Sequence, residues 1–124
     1  GLIFCNRVLG FVNAPALIQR AIQNVQNVSV DAELYRKKRD FLYAELIRIG
    51  YSVVKPQGAF YFFPKSPLKD EVLFIQKLAE KKVLVVPGQG FGSPGYFRIS
   101  YCLPDQVLEG SIAGFEEAFN EVKL

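Results

Sequence analysis

The chain has 124 residues, with 15 Lys or Arg against 12 Asp or Glu and a formal charge of +3. Half of it is hydrophobic and 11 residues are Phe, which excludes disordered, collagenous and low-complexity classes. No apolar run reaches the length of a membrane span and no signal pattern opens the chain, so a soluble, cytoplasmic protein with one domain over residues 1–124 is expected.

Residues 1–12 are apolar without a complete helical or alternating pattern. Asn13 can cap a first helix with Pro15 in its first turn and an apolar stripe of Leu17, Ile18, Ala21, Ile22 and Val25. Ser29 or Asp31 opens a longer helix with Leu34, Phe41, Leu42, Leu46 and Ile49 on its apolar face, and Gly50 suits its left-handed cap. The period then changes. Residues 51–55 and 59–63 read as strands joined by a turn at Pro56, Gln57 and Gly58. Residues 70–82 read as a helix with Phe74, Ile75, Leu78 and Ala79 inside, and Lys81 and Lys82 at its carbonyl end. A short buried strand over 83–86, another strand over 96–101 and a final helix from Pro104-Asp105 complete the chain. In that helix Leu108, Ile112, Phe115, Phe119 and Val122 recur at helical spacing. The predicted architecture is α+β: a small, mostly antiparallel sheet covered by helices.

The chain has no histidine, which removes the commonest general base, any Ser–His or Cys–His pair and the usual metal ligand. Cys5 and Cys102 cannot form a zinc site alone and read as free, buried thiols. No metal site and no catalytic residue is assigned.

Four patterns invite a functional label. Ser66-Pro-Leu-Lys69 matches the Ser-x-x-Lys of penicillin-binding enzymes, but the accompanying elements are missing and Pro67 favours a turn. Gly88-Gln-Gly-Phe-Gly-Ser-Pro-Gly95 follows a strand, yet the next regular segment is again a strand, which argues against a phosphate cradle. That loop reads either as a flexible connection or as a close backbone approach to a ligand. Arg36-Lys37-Lys38-Arg39 spans a full helical turn, so a solvated face explains it better than nucleic-acid binding. In Tyr96-Phe-Arg-Ile-Ser-Tyr101, alternation places Phe97, Ile99 and Tyr101 on one face and Tyr96, Arg98 and Ser100 on the other. An Arg in mid-strand between hydroxyls can hold a carboxylate through two parallel N–H bonds; an ordinary half-solvated strand is the other reading.

Three segments together resemble the pyridoxal-phosphate aminotransferases related to aspartate aminotransferase. They are Lys55-Pro-Gln-Gly-Ala-Phe-Tyr-Phe-Phe-Pro64, Val83-Leu-Val-Val-Pro-Gly-Gln-Gly-Phe-Gly92 and Gly95-Tyr-Phe-Arg-Ile-Ser-Tyr101. The resemblance covers essentially the whole chain and corresponds to the carboxy-terminal small domain of such an enzyme. It implies that Arg98 grips the α-carboxylate of the substrate, that Phe60 lines the substrate pocket, and that the loop over 87–92 runs beside its mouth. Residues 10–15 resemble the segment entering the small domain. Residues 1–12 are expected to pack incompletely and to pair with another copy in a homodimer.

The resemblance further implies pyridoxal phosphate as cofactor and transfer of an amino group between an aspartate-like L-amino acid and a 2-oxo acid. No residue here matches the Schiff-base Lys motif, and Arg7 lacks the context of the family's phosphate-binding Arg, so the chain alone is expected to be inactive. A non-catalytic α+β binding or interaction module is the alternative. Neither nucleic acid nor membrane is an expected partner.

Overall fold

The computed structural model describes residues 1–10 and 14–123. The chain divides into two compact units, Gly1–Val30 and Asp31–Leu124.

The first unit holds two seven-residue helices, α1 (Leu2–Val8) and α2 (Ala16–Ile22). Nothing inside Leu2–Val8 interrupts a helix, and Gly10 follows it at φ +80°, so a helix forms where the sequence pattern was incomplete. Pro15 precedes α2 as its N-cap rather than entering its first turn, while the Asn13 cap expected there lies outside the described residues, as do Phe11 and Val12. The stripe of Leu17, Ile18, Ala21, Ile22 and Val25 faces solvent instead of a core. Two helices of two turns each offer too little area to enclose one.

The second unit contains α3 (Ala32–Ile49), β1 (Tyr61–Phe62), α4 (Glu71–Glu80), β2 (Val86–Pro87), β3 (Phe97–Ser100) and α5 (Asp105–Glu121). Asp31 starts α3 by accepting the N–H groups of Glu33 and Leu34 at 3.0 and 3.2 Å. Gly50 ends it at φ +114°, a left-handed cap. Asp70 caps α4 in the same way, accepting from Val72 and Leu73. Lys82 turns the chain out of α4 at φ +63°, and Lys81 pairs with Glu121 and Glu117 of α5.

The sheet has the order β1-β3-β2 and both pairings are antiparallel, with Tyr61 opposite Ser100 and Val86 opposite Arg98. Its third strand is β2, not the residues at 51–55. Tyr51 buries its ring among Phe74, Phe97, Phe115 and Phe119 and donates its hydroxyl to the Phe115 carbonyl at 2.9 Å. Only the Ser52 carbonyl in that stretch reaches across, accepting from Lys65 N–H at 2.9 Å, and one bond does not make a ladder. The expected strands over 59–63 and 96–101 are trimmed to β1 and β3. The strand expected to be buried over 83–86 is displaced to β2, which keeps only Val86, takes in Pro87 and leaves Leu84 and Val86 exposed.

The core joins one sheet face to three helices. Phe62, Phe97, Ile99 and Tyr101 pack with Leu42, Leu46, Phe74, Leu78, Leu108 and Phe115. Each such side chain contributes about 1.5–3 kcal/mol by leaving water. Leu34, Phe41 and Ala79, expected inside, are exposed, because each lies at the rim of its helical stripe. Cys5 and Cys102 are free thiols, as expected, but exposed rather than buried. Among the described residues no helix is long and apolar enough to cross a membrane.

Candidate functional site

Strand β3 runs through the middle of the sheet, so its two faces meet different surroundings. Phe97 and Ile99 enter the core, while Arg98 and Ser100 are half-buried on the opposite face. The alternation read from the sequence is therefore the one observed.

Two aromatic rings flank Arg98. Its guanidinium carbon lies 4.4 Å from the centroid of Tyr61 and 4.3 Å from that of Phe91. Tyr61 arrives through the β1–β3 register, which sets it opposite Ser100 and diagonal to Arg98. Phe91 arrives from the loop between β2 and β3. The Phe91 ring also meets Phe63 edge-on at 6.0 Å, and Phe63 stacks on Tyr96 at 6.3 Å. Among the described residues, no carboxylate lies within ion-pair distance of Arg98. The guanidinium's in-plane N–H donors are thus available to an outside acceptor, and their fork matches a carboxylate.

The loop that carries Phe91 is folded through its own hydrogen bonds. Gly88–Phe91 forms one 3-10 turn closed by Gly92 at φ +72°. Gly88 N–H donates to the Tyr96 carbonyl at 2.8 Å, and Ser93 N–H donates to the Gly88 carbonyl at 3.0 Å. Gly95 N–H donates to Glu71 Oε2 at 2.9 Å. The close approach that Gly88 permits is therefore to its own loop.

Phe60, the other residue singled out for substrate, has its ring elsewhere. It packs on Tyr35 of α3 at 4.9 Å and on Tyr101 at 6.4 Å, and it is 37% exposed. Tyr101 belongs to the core face of β3, so the structure does not bring the Phe60 ring and the Arg98 fork together. Tyr61, one position on, is the side chain that meets Arg98. The signal for it was present in the alternation of residues 59–63; the signal for Phe91 was not, since only the loop fold sets that contact. The Tyr101 hydroxyl donates to the Ala59 carbonyl at 2.5 Å, and burial pushes its phenol above the ordinary tyrosine range. That bond holds the turn before Phe60, where Ala59 takes φ +60°.

The remaining patterns have structural explanations. Ser66 Oγ accepts from Leu68 N–H at 3.2 Å, a local turn rather than a nucleophile. The basic run on α3 points in several directions: Arg36 pairs with Glu33, Lys38 with Asp105 and Arg39 with Asp40. Residues 10–15, read as the entering segment, fall partly outside the described residues.

Comparison with known proteins gives the family. The family described as Aminotransferase class I and II matches residues 6–113. The chain belongs to that family. It is 43% identical over 89 residues to an aspartate aminotransferase of Bacillus subtilis, covering 64% of this chain and 23% of that protein. It is 41% identical over 95 residues to a probable aspartate/prephenate aminotransferase of Aquifex aeolicus, covering 71% and 24%. Among solved structures, an aminotransferase from Eubacterium rectale superposes with a TM-score of 0.86 at 41% identity, covering 96% of this chain and 30% of that one. The chain therefore spans about a quarter to a third of the length of these relatives.

Proposed function

We propose that this chain is the carboxylate-recognising part of a pyridoxal-phosphate-dependent aminotransferase acting on an aspartate-like L-amino acid and a 2-oxo acid. One observation carries the reading: Arg98 presents a forked donor set, with no acid beside it among the described residues, on the half-buried face of a central strand. Both substrates of such a reaction carry a carboxylate next to the reacting carbon. A guanidinium on a rigid strand can hold that carboxylate in one orientation before and after amino transfer. Phe60 belongs to the same reading as a pocket-lining residue, through its place in the Gly-Ala-Phe motif.

Pyridoxal phosphate supplies the electron sink in this family. It needs a lysine free to bond its aldehyde and an acid against its pyridine nitrogen. Lys38, Lys55, Lys77 and Lys81 are each paired with a carboxylate, whereas Lys37, Lys65, Lys69, Lys82 and Lys123 make no ion pair among the described residues. None of the nine lysines lies in the sequence context of the family's Schiff-base lysine, so the residues of this chain alone do not fit the cofactor. The reading places the intact enzyme in the cytoplasm as a homodimer whose small domain includes this chain.

The test is an amino-transfer assay on the complete enzyme carrying this segment, with L-aspartate as donor and 2-oxoglutarate as acceptor. Conversion of aspartate to oxaloacetate is the expected result. No transfer from any dicarboxylic or aromatic amino acid would leave the non-catalytic binding module as the better account.

A further inference from the structure

We propose that Phe91 and Tyr61 are positioning residues for Arg98: their rings fix the plane of its guanidinium and leave the in-plane N–H edge as the approach for a carboxylate. The proposal rests on the reading of Arg98 as a carboxylate ligand and extends it to two side chains.

The geometry separates the two kinds of contact. A ring attracts a guanidinium across its face, whereas hydrogen bonds leave in the plane. With centroids at 4.3 and 4.4 Å, both rings can hold the cation while its five donors remain free. An Arg on an open strand face otherwise samples many rotamers, and ordering it on each binding event weakens binding.

Neither ring is accounted for by the core. Phe91 is 48% exposed and Tyr61 43% exposed, yet both are anchored. Tyr61 is fixed by strand register. Phe91 is fixed by a loop whose two ends are tied through Gly88, Ser93 and Tyr96, and whose last turn is tied through Gly95 to Glu71. Glu71 itself is only 6% exposed and its Oε1 has no partner among the described residues, so that buried carboxylate holds the loop at some desolvation cost. The rings also keep water from the faces of the guanidinium, which strengthens any ion pair made at its edge.

The experiment uses the 124-residue chain with Phe91→Leu, Phe91→Tyr, Tyr61→Leu, Tyr61→Phe and Arg98→Lys. Two quantities are read by NMR: the order of the Arg98 Nε–H bond and the affinity for succinate. Backbone amide spectra confirm the fold of each variant. The aromatic replacements keep both quantities at the parent value. The Leu replacements, equally apolar but without a ring, lower the order and weaken succinate binding about three- to tenfold. Unchanged order in both Leu variants overturns the proposal, and so does lowered order with unchanged affinity. Arg98→Lys separates the two claims. If it leaves succinate binding intact, the carboxylate reading fails; if it removes binding while the Leu variants do not, only the positioning role fails.

Discussion

A methyl group on Gly88 would overlap the carbonyl oxygen of Ser93 and stand 2.5 Å from that of Tyr96. Both are main-chain carbonyls, and that of Tyr96 already accepts the Gly88 N–H, so neither can give way cheaply. Gly88→Ala should cost about 1–3 kcal/mol through overpacking. For a unit of this size each kcal/mol lowers Tm by about 4–8 °C. Calorimetry reads the shift, and an unchanged Tm would mean that the loop is looser than its hydrogen bonds indicate.

Tyr51 joins the helices to the sheet through its ring and its hydroxyl. Tyr51→Phe keeps the ring contacts and loses the bond to the Phe115 carbonyl, for about 0.5–1.5 kcal/mol. Tyr51→Ala opens a cavity among four Phe rings and should cost about 3–5 kcal/mol, by analogy with other large aromatic truncations. Chemical denaturation of the two variants should separate them by that margin. Burial also raises the Tyr51 phenol above its ordinary value. A raised folded pKa means that stability is fully present below about pH 10, the unfolded value, and falls as pH rises beyond it. Tyr51→Phe should flatten that alkaline loss.

On the acid side, Glu33 and Asp40 of α3 and Glu116 and Glu121 of α5 are all held below the usual carboxylate range by basic partners, and the α5 pair links helices. Arg48 bonds both Glu45 and Glu116, and Lys81 bonds Glu121, tying α5 to α3 and to the end of α4. Arg48 holds the Glu116 carboxyl below the usual range, and Lys81 does the same for Glu121. With folded values depressed, their contribution is present above the unfolded pKa of about 4.3 and is lost as pH falls through the folded value. These pairs are open to solvent, so salt screens them. Tm should therefore fall with acidification, and less steeply in about 1 M NaCl. The double substitution Glu116→Gln and Glu121→Gln should also reduce the slope. A slope that ignores both changes would assign the acid sensitivity to other carboxylates.

How much of this was legible in the sequence depends on whether a feature is local. Asp31, Asp70 and Gly50 announce helix ends because a cap is made within a few residues of itself. The faces of β3 follow from strict alternation in six residues. Residues 51–55 carry a strand-like pattern, but Tyr51 is drawn into a distant aromatic cluster, and that tertiary contact overrides the local period. The exposure of Leu17 and Ile22 on α2 was hidden for the opposite reason: an apolar stripe promises a partner and does not say where it is. At the site, Arg98 was readable from its strand, whereas Phe91 reaches it only through a turn that depends on Gly88 and Ser93.

Added pyridoxal phosphate should acquire no single protein-specific absorbance band with the 124-residue chain, because none of its lysines lies in the sequence context of the family's Schiff-base lysine. Titration followed by mass spectrometry after borohydride reduction gives the check. Scattered, substoichiometric labelling of surface lysines fits this account; stoichiometric labelling of one lysine contradicts it.

The central claim is that Arg98 recognises a substrate carboxylate, and it is tested most directly by kcat/KM of Arg98→Lys in the complete enzyme, measured beside its Tm. An ammonium keeps the charge and loses the two-pronged geometry. A charge-assisted hydrogen bond is worth about 1.5–3 kcal/mol, so kcat/KM should fall at least about tenfold while Tm stays close to the parent value. Unchanged kinetics, or a loss of activity that merely follows a loss of folding, would contradict the account.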